Sequence, residues 1–351
     1  MAIRVLHDWR GLDAAAKGAA VALGNFDGVH RGHQRVIADA AKAAGALGVP
    51  LGVISFEPHP RRLFQPTAEP FRLMTPHQQA RALGDLGVDL FYLLPFGVEM
   101  AGMSDETFAR EVLAEGLGAR HVAAGFDITF GKGRTGDPAA LRRYGEAFGF
   151  SVSVAEALGD DKADKFSSSA VREALHQGHP ERAAKILGRP FAIEGVVVKG
   201  QQLGRQLGFP TANVPMGDYV LPRLGVYATR TRLPDGREAP GVANIGVNPT
   251  TGLVEPRLEV WLFDFDEDIY GQTIETDLIA FLRPELKFDG LDALVKQVNA
   301  DAAVARAILM PDLSRPLIPA VPPAHPREGG DLARSHDRGF RRRARPAKSS
   351  A

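Results

Sequence analysis

The sequence predicts two domains in series: an α/β layer on a largely parallel sheet, then a small antiparallel β-barrel or sandwich with a C-terminal helix. Three observations carry this. From Ala20 to about Gly188, short apolar runs alternate with amphipathic stretches, as when each strand hands over to a crossover helix. After Gly188-Arg189-Pro190 the runs become β-branched and are broken by Gly, Pro and Asn, the texture of short strands joined by turns. At 351 residues the chain exceeds one average domain and fits two.

In the first region the strand candidates are VALGNF, LGVISF, DLFYLLPF, HVAAGF and SVSVAEAL. The helices between them carry start signals. Thr75, Pro76 and Gln78 form a capping box with proline in the first turn, and Ser104 precedes Asp105 and Glu106. Ser167 to Gly188 reads as a helix pair. In the second region FAIEGVVVKG, GVYATRTRLPDGREAPGVANIGV, LEVWLFDF and IYGQTIETDLIAFL are strand material, with Pro234-Asp235-Gly236 as a turn. Leu286 to Leu309 reads as a helix, apolar at Leu291, Leu294, Val295 and Val298. The expected divisions are 1–188, 189–310 and a tail 311–351. That tail carries Pro311, Pro316, Pro319, Pro322, Pro323 and Pro326, followed by Arg341-Arg342-Arg343, a composition expected to be disordered.

Composition narrows the function classes. With 44% hydrophobic and 24% charged residues, the chain has the make-up of a soluble globular protein with sizeable cores. The 42 basic and 42 acidic side chains cancel, so no overall basic field draws nucleic acid or an anionic membrane, and neither is expected as a partner. The basic excess is confined to Asp312–Ala351, with nine Lys/Arg against four Asp/Glu. The chain has no cysteine, which excludes disulfides, thiolate metal sites and a cysteine nucleophile. The first residues hold no apolar leader core and no apolar run approaches a membrane span, so the cytoplasm is the expected compartment. Nothing in the sequence sets the oligomeric state.

The segment Gly24-Asn25-Phe26-Asp27-Gly28-Val29-His30-Arg31-Gly32-His33 falls where the first strand hands over to the first helix. Glycines there let backbone N–H groups approach an anion, and the helix start offers unpaired donors. His30 and His33 share the first turn, where they can donate to phosphate oxygens. Two other readings stand beside this one: surface histidines near a helix start, and zinc, for which no Cys or obvious third ligand is present. Gly131-Lys132-Gly133-Arg134-Thr135-Gly136 also satisfies GxGxxG, with Glu156 about twenty residues on. A dinucleotide fingerprint is rejected, because Lys132 and Arg134 fill its variable positions and the loop follows a late strand.

The chain contains no Walker A motif. In the second region Gly204 and Gly208 flank a loop leading to Pro210-Thr211-Ala212-Asn213, which on spacing alone is only a turn. Thr211 and Asn213 supply hard, neutral oxygens suited to magnesium. Glu259 lies in the alternating strand Leu258-Glu259-Val260-Trp261-Leu262-Phe263, where it faces either a cleft or solvent. Asp264, Asp266, Asp268 and Glu275 have the spacing of calcium-loop ligands, but Ile269 stands where that loop needs glycine, so a hairpin turn is expected.

The GNFDGVHRGH segment resembles the HxGH nucleotidylyltransferases and, within them, the bacterial bifunctional riboflavin kinase/FAD synthetases. Companion matches are Ser55-Phe56-Glu57-Pro58-His59-Pro60, Phe130 to Asp137, Ser167-Ser168-Ser169 with Arg172, and Gly204 to Asn213. Gly241 to Thr250 and Phe281-Leu282-Arg283-Pro284-Glu285 complete the set. The resemblance implies a Rossmann-like first domain and a barrel second domain. It implies riboflavin phosphorylation to FMN and FMN adenylylation to FAD, each with ATP and Mg2+, and riboflavin, FMN and FAD as substrates or products. His30, His33 and Glu259 would be catalytic, Glu259 as the base for the riboflavin 5′-hydroxyl. Gly24, Asn25, Phe26, Asp27, Gly28, Ser167, Ser168, Ser169, Arg172, Gly204, Gly208, Pro210, Thr211 and Asn213 would bind nucleotide, with Thr211 and Asn213 at the metal. Phe56, Pro58, His59, Asp127, Phe130 and Arg283 would meet flavin. Trp261 departs from the family pattern, which has histidine there. Two alternatives are a nucleotidylyltransferase for another phosphorylated substrate and a non-enzymatic flavin-binding regulatory module.

Overall fold

The computed structural model describes residues 2–156, 166–200, 204, 207–247 and 255–309. Of the sequence readings, the tail 311–351, Asn248 to Thr250 and the positions between Gly204 and Leu207 lie outside the described residues.

Six strands form the first sheet: β1 (Arg4–Leu6), β2 (Ala20–Leu23), β3 (Leu51–Glu57), β4 (Leu90–Pro95), β5 (His121–Gly125) and β6 (Ser151–Ala155). All pair in parallel, in the order β1-β4-β3-β2-β5-β6. This is the expected Rossmann-like α/β layer. β1 is an addition to the sequence reading; its three residues bury only Leu6, too short a pattern to stand out. The helices are α1 (Arg31–Leu47), α2 (Pro60–Phe64), α3 (Pro76–Asp85), α4 (Val98–Gly102), α5 (Asp105–Thr107, running into a π-helical segment Phe108–Gly116), α6 (Pro138–Phe148), α7 (Ser168–Gln177) and α8 (Pro180–Leu187). The Thr75 capping box closes in both directions, and Ser104 caps α5 through the Thr107 N–H. The chain leaves β2 toward β3 and β4 on one side and returns to β5 on the other. The ends of β2, β3 and β5 therefore border the crevice where such sheets bind ligands.

The second sheet holds β7 (Phe191–Val196), β8 (Thr211–Pro215), β9 (Gly225–Arg232), β10 (Glu238–Gly246), β11 (Arg257–Leu262) and β12 (Thr273–Arg283). They are antiparallel in the order β7-β12-β9-β10-β11-β8. The sheet curls until the Val198 N–H, just past β7, donates to the Asn213 carbonyl of β8 at 2.8 Å, so its two edges meet as a barrel. Two local readings are corrected. Thr211 to Asn213 opens strand β8 instead of a turn, because its backbone pairs with β11. The last helix, α9 (Leu291–Leu309), starts five residues later than expected, after an irregular stretch that ends in a bend at Gly290 with φ 121°.

One apolar cluster runs through both sheets, joining Leu73, Met74, Ile186 and Leu187 to Phe191, Ile193, Tyr219 and Val220. A polar seam reinforces it. Glu194 of β7 accepts from Thr75 Oγ1 at 2.7 Å and lies 2.8 Å from His77 Nδ1. Glu275 of β12 accepts from Gln78 at 2.8 Å and pairs with Arg81. Tyr219 donates to Gln78 Oε1 at 2.5 Å. Glu275 is thus turned toward α3, and Asp264 pairs with Arg306, so the calcium-like spacing does not converge.

Candidate active sites

The first cleft, about 1240 Å³, opens over the ends of β2, β3 and β5. Its floor is Gly24–Asp27, the cleft-lining part of a turn that runs on to Val29 and in which Phe26, Gly28 and Val29 all take positive φ (49°, 89° and 41°). The carbonyls of this turn are tied down from outside. Ser55 Oγ and Gln79 Nε2 donate to Asn25 O at 2.6 and 3.0 Å, and Ser168 Oγ donates to Asp27 O at 2.9 Å. The buried Asp27 carboxylate accepts from the Leu73 N–H at 2.9 Å and from Arg172 Nη2 at 2.6 Å. It is a brace for the turn. Burial pushes its pKa up and Arg172 opposes this.

His30 is the N-cap of α1, its Nδ1 accepting from the His33 N–H at 3.2 Å. That bond fixes the tautomer: in the neutral ring the proton sits on Nε2, which is left to donate. The two imidazoles stack with centroids 3.6 Å apart, and Phe26 packs on His33. Burial, with Arg172 and Arg189 nearby, depresses the His30 pKa to about 4. Burial and the neighbouring His30 lower His33 well below the ordinary value as well. Both rings are neutral near pH 7. Among the described residues His33 Nδ1 is buried without a hydrogen-bond partner. A Cβ on Gly32 would sit 2.8 Å from the Phe166 carbonyl, so only glycine fits between the histidines and that backbone.

The other predicted residues divide. Gly24, Asn25, Phe26, Asp27, Phe56, His59, Asp127, Phe130, Ser167, Ser168 and Arg172 line the cleft. His59 caps α2 and meets Phe71 edge-on; burial lowers its pKa to about 4. Ser167 caps α7. The guanidinium of Arg172 is engaged within the protein, its Nε donating to Phe71 O at 2.7 Å besides the Asp27 pair. Gly28, Pro58 and Ser169 are not brought to the cleft. Gly28 instead packs under Leu73 and Leu187. Gly131 and Gly136 serve close packing, since a Cβ on either would lie within 3 Å of Asp105; this agrees with rejecting the fingerprint reading. Gln79 and Phe71 were not legible in the sequence, and Ser55 stood out only within the Ser55 to Pro60 match without its bond to Asn25, because each acts on a partner distant along the chain.

The second cleft, about 630 Å³, lies between the barrel and α9. Asn213 of β8, Glu259 of β11 and Asn244 of β10 stand side by side in register and all line it. Burial raises the pKa of Glu259; Arg257 opposes this and Glu285 adds to it. Asn213 is buried and lies where a Cβ on Gly200 would come within 2.6 Å of its amide. A Cβ on Gly204 would stand 2.5 Å from Phe209 O and 3.7 Å from Thr211 Oγ1. Gly208, at φ 89°, and Pro210 are not among the lining residues. Trp261 meets Phe209 and Phe263 edge-on and lines the cleft. Arg283 also lines it, with its guanidinium held by Asp301 of α9 at 2.7–3.0 Å.

Fold and clefts together define a parallel-sheet α/β protein extended by a β-barrel, each half with a cleft of its own. Comparison with known proteins is specific. The FAD synthetase family model matches residues 12–170 and the riboflavin kinase family model residues 187–309. The bifunctional riboflavin kinase/FMN adenylyltransferase of Pseudomonas fluorescens is 42% identical, over 89% of this chain and 99% of its own length. That of Escherichia coli K12 is 37% identical, over 87% and 96% respectively. A crystal structure described as a macrolide-efflux protein from Streptococcus pneumoniae superposes with a TM-score of 0.77 at 32% identity, over 87% of this chain and 99% of that one. The chain belongs to the bifunctional riboflavin kinase/FMN adenylyltransferase family.

Proposed function

We propose that this protein phosphorylates riboflavin to FMN in the barrel cleft and adenylylates FMN to FAD in the parallel-sheet cleft, releasing ADP and pyrophosphate respectively. One observation carries the reading. Two separate clefts, one presenting a pair of neutral histidines at a helix start and the other a half-buried glutamate, fall on the segments matched by the two family models, with only Arg172 of the first just past its segment's end.

In the first cleft an FMN phosphate oxygen bonds to the α-phosphorus of ATP as the bond from that phosphorus to the pyrophosphate oxygen breaks. No protein group becomes covalently attached. His30 donates from Nε2 to the phosphoryl oxygens, and the start of α1 adds its unpaired N–H groups. Because both imidazoles are neutral, they stabilise charge by hydrogen bonding without surrendering a proton. Phe56, His59, Asp127 and Phe130 form the flavin side of the cleft; Ser167, Ser168 and the braced Asp27–Arg172 pair form the nucleotide side.

In the second cleft Glu259 accepts the proton of the riboflavin 5′-hydroxyl as that oxygen attacks the γ-phosphorus of ATP and ADP departs. A carboxylate with a raised pKa suits a general base. Thr211 and Asn213 would hold Mg2+: their oxygens are hard and neutral, and Gly200 and Gly204 leave room that side chains would close. The metal, bound with ATP, would neutralise phosphate charge. Arg283, fixed by Asp301, borders the flavin.

Incubation with riboflavin, ATP and magnesium, with the products separated by chromatography, tests the reading. FMN followed by FAD is expected. Bound but unchanged riboflavin would favour a regulatory module, and adenylylation of a different phosphorylated compound would favour a relative with another substrate. Among the described residues no helix is long and apolar enough to cross a membrane; we assign the enzyme to the cytoplasm, which fractionation tests.

A further inference from the structure

Arg189 stands between α8 and β7, inside the segment matched by the riboflavin kinase model. Its side chain points back into the other half. Nη2 donates to the Gly28 carbonyl at 2.8 Å and lies 3.2 Å from Met74 Sδ, and Nη1 reaches the Val29 carbonyl at 3.5 Å. Gly28 and Val29 directly precede His30. Both have positive φ, and a β-branched residue such as Val29 keeps this strained conformation only where its surroundings impose it.

The surroundings do impose it. Gln34 Nε2 donates to Val29 O and to Leu187 O, both at 3.0 Å, and Leu73 with Leu187 fills the space beside Gly28. Other carbonyls of the turn are held by Ser55, Gln79 and Ser168, all from the parallel-sheet half. Arg189 is the donor that comes from beyond α8. Turning the Gly28–Val29 peptide would carry the His30 backbone with it, since that residue's extended conformation (φ −68°, ψ 169°) is what lets its ring cap α1.

We propose that Arg189 is a positioning residue for adenylyl transfer: through the Gly28 and Val29 carbonyls it sets the backbone from which His30 and His33 act, although it belongs to the kinase-matched segment. This rests on the function proposed above. Donors aimed at charge that develops only in the transition state lose their effect when displaced slightly, and the loss appears in kcat. The positive charge of Arg189 also opposes protonation of both imidazoles, behind burial as the first cause.

The test uses the full chain, with Arg189→Met and Arg189→Lys assayed for both reactions. For Arg189→Met, kcat for FAD formation should fall about tenfold or more, with KM for FMN and ATP within about twofold and the riboflavin kinase rate unchanged. Arg189→Lys, which keeps the charge and one donor but loses the fork, should recover part of the lost kcat. A wild-type kcat in Arg189→Met, or a raised KM at unchanged kcat, overturns the proposal. If Arg189→Met loses both activities, Arg189→Lys decides: reduced FAD formation with a full kinase rate supports the role, and wild-type rates in both reactions overturn it. A wild-type chain that makes no FAD from FMN and ATP would instead remove the underlying functional reading.

Discussion

The two clefts are built from different materials. In the parallel-sheet cleft the working surface is backbone: a turn with three positive φ values whose carbonyls are pinned from outside, presenting a helix start and two neutral histidines. In the barrel cleft it is a row of side chains, Asn213, Glu259 and Asn244, aligned by strand register. The first is about twice the volume of the second. Backbone sites are contiguous in sequence and fail when the turn relaxes. Register sites are scattered and fail residue by residue.

The sharpest way to break this comparison is Glu259→Gln. Loss of the base should lower FMN production by about 10²–10⁴ while FAD synthesis from supplied FMN continues; a normal kinase rate would take Glu259 out of the mechanism. His30→Ala is the mirror experiment. It should cost FAD formation about 10²–10³, the scale for one transition-state donor, with riboflavin phosphorylation intact; loss of both rates would mean the clefts are not independent. Asp27→Asn removes one partner of a well-buried ion pair and should destabilise the fold by about 3 kcal/mol, measured from urea unfolding. An unchanged midpoint would show that the turn does not need its brace.

The smallest effect is that of pH. The folded chain keeps His30 neutral down to about pH 4, against an ordinary value of 6.5. Between these values the unfolded chain binds a proton that the folded one refuses, so stability falls as pH drops through that window. From pH 7 to pH 5 the loss attributable to this group is about 2 kcal/mol. His30→Asn, which retains the cap, should flatten the urea-midpoint profile over that range; an equally steep profile would place the titration elsewhere.

Much of this was legible in the sequence. The parallel layer, its helix caps and the HxGH turn were readable because periodicity, capping chemistry and glycine placement are local. The barrel was readable as texture, but β8 was not, since Thr211 to Asn213 becomes a strand only when β11 lies beside it. The Arg172 side chain could be named from the sequence, whereas its engagement by Asp27 and Phe71 could not. The contacts of Ser55, Gln79 and Arg189 were silent for the same reason. Each is an ordinary polar residue until the fold brings it to a carbonyl far away along the chain.

The seam between the halves has a consequence for synthesis. Gln78 and Arg81 of α3 find their partner Glu275 almost two hundred residues later, and the apolar cluster around Leu187 is completed by Phe191 and Ile193. A chain emerging from the ribosome therefore lacks some of the polar partners of α3 until β12 has been made. Nascent chains halted before Thr273 should stay open to protease at α3 and become protected once Arg283 is free of the tunnel.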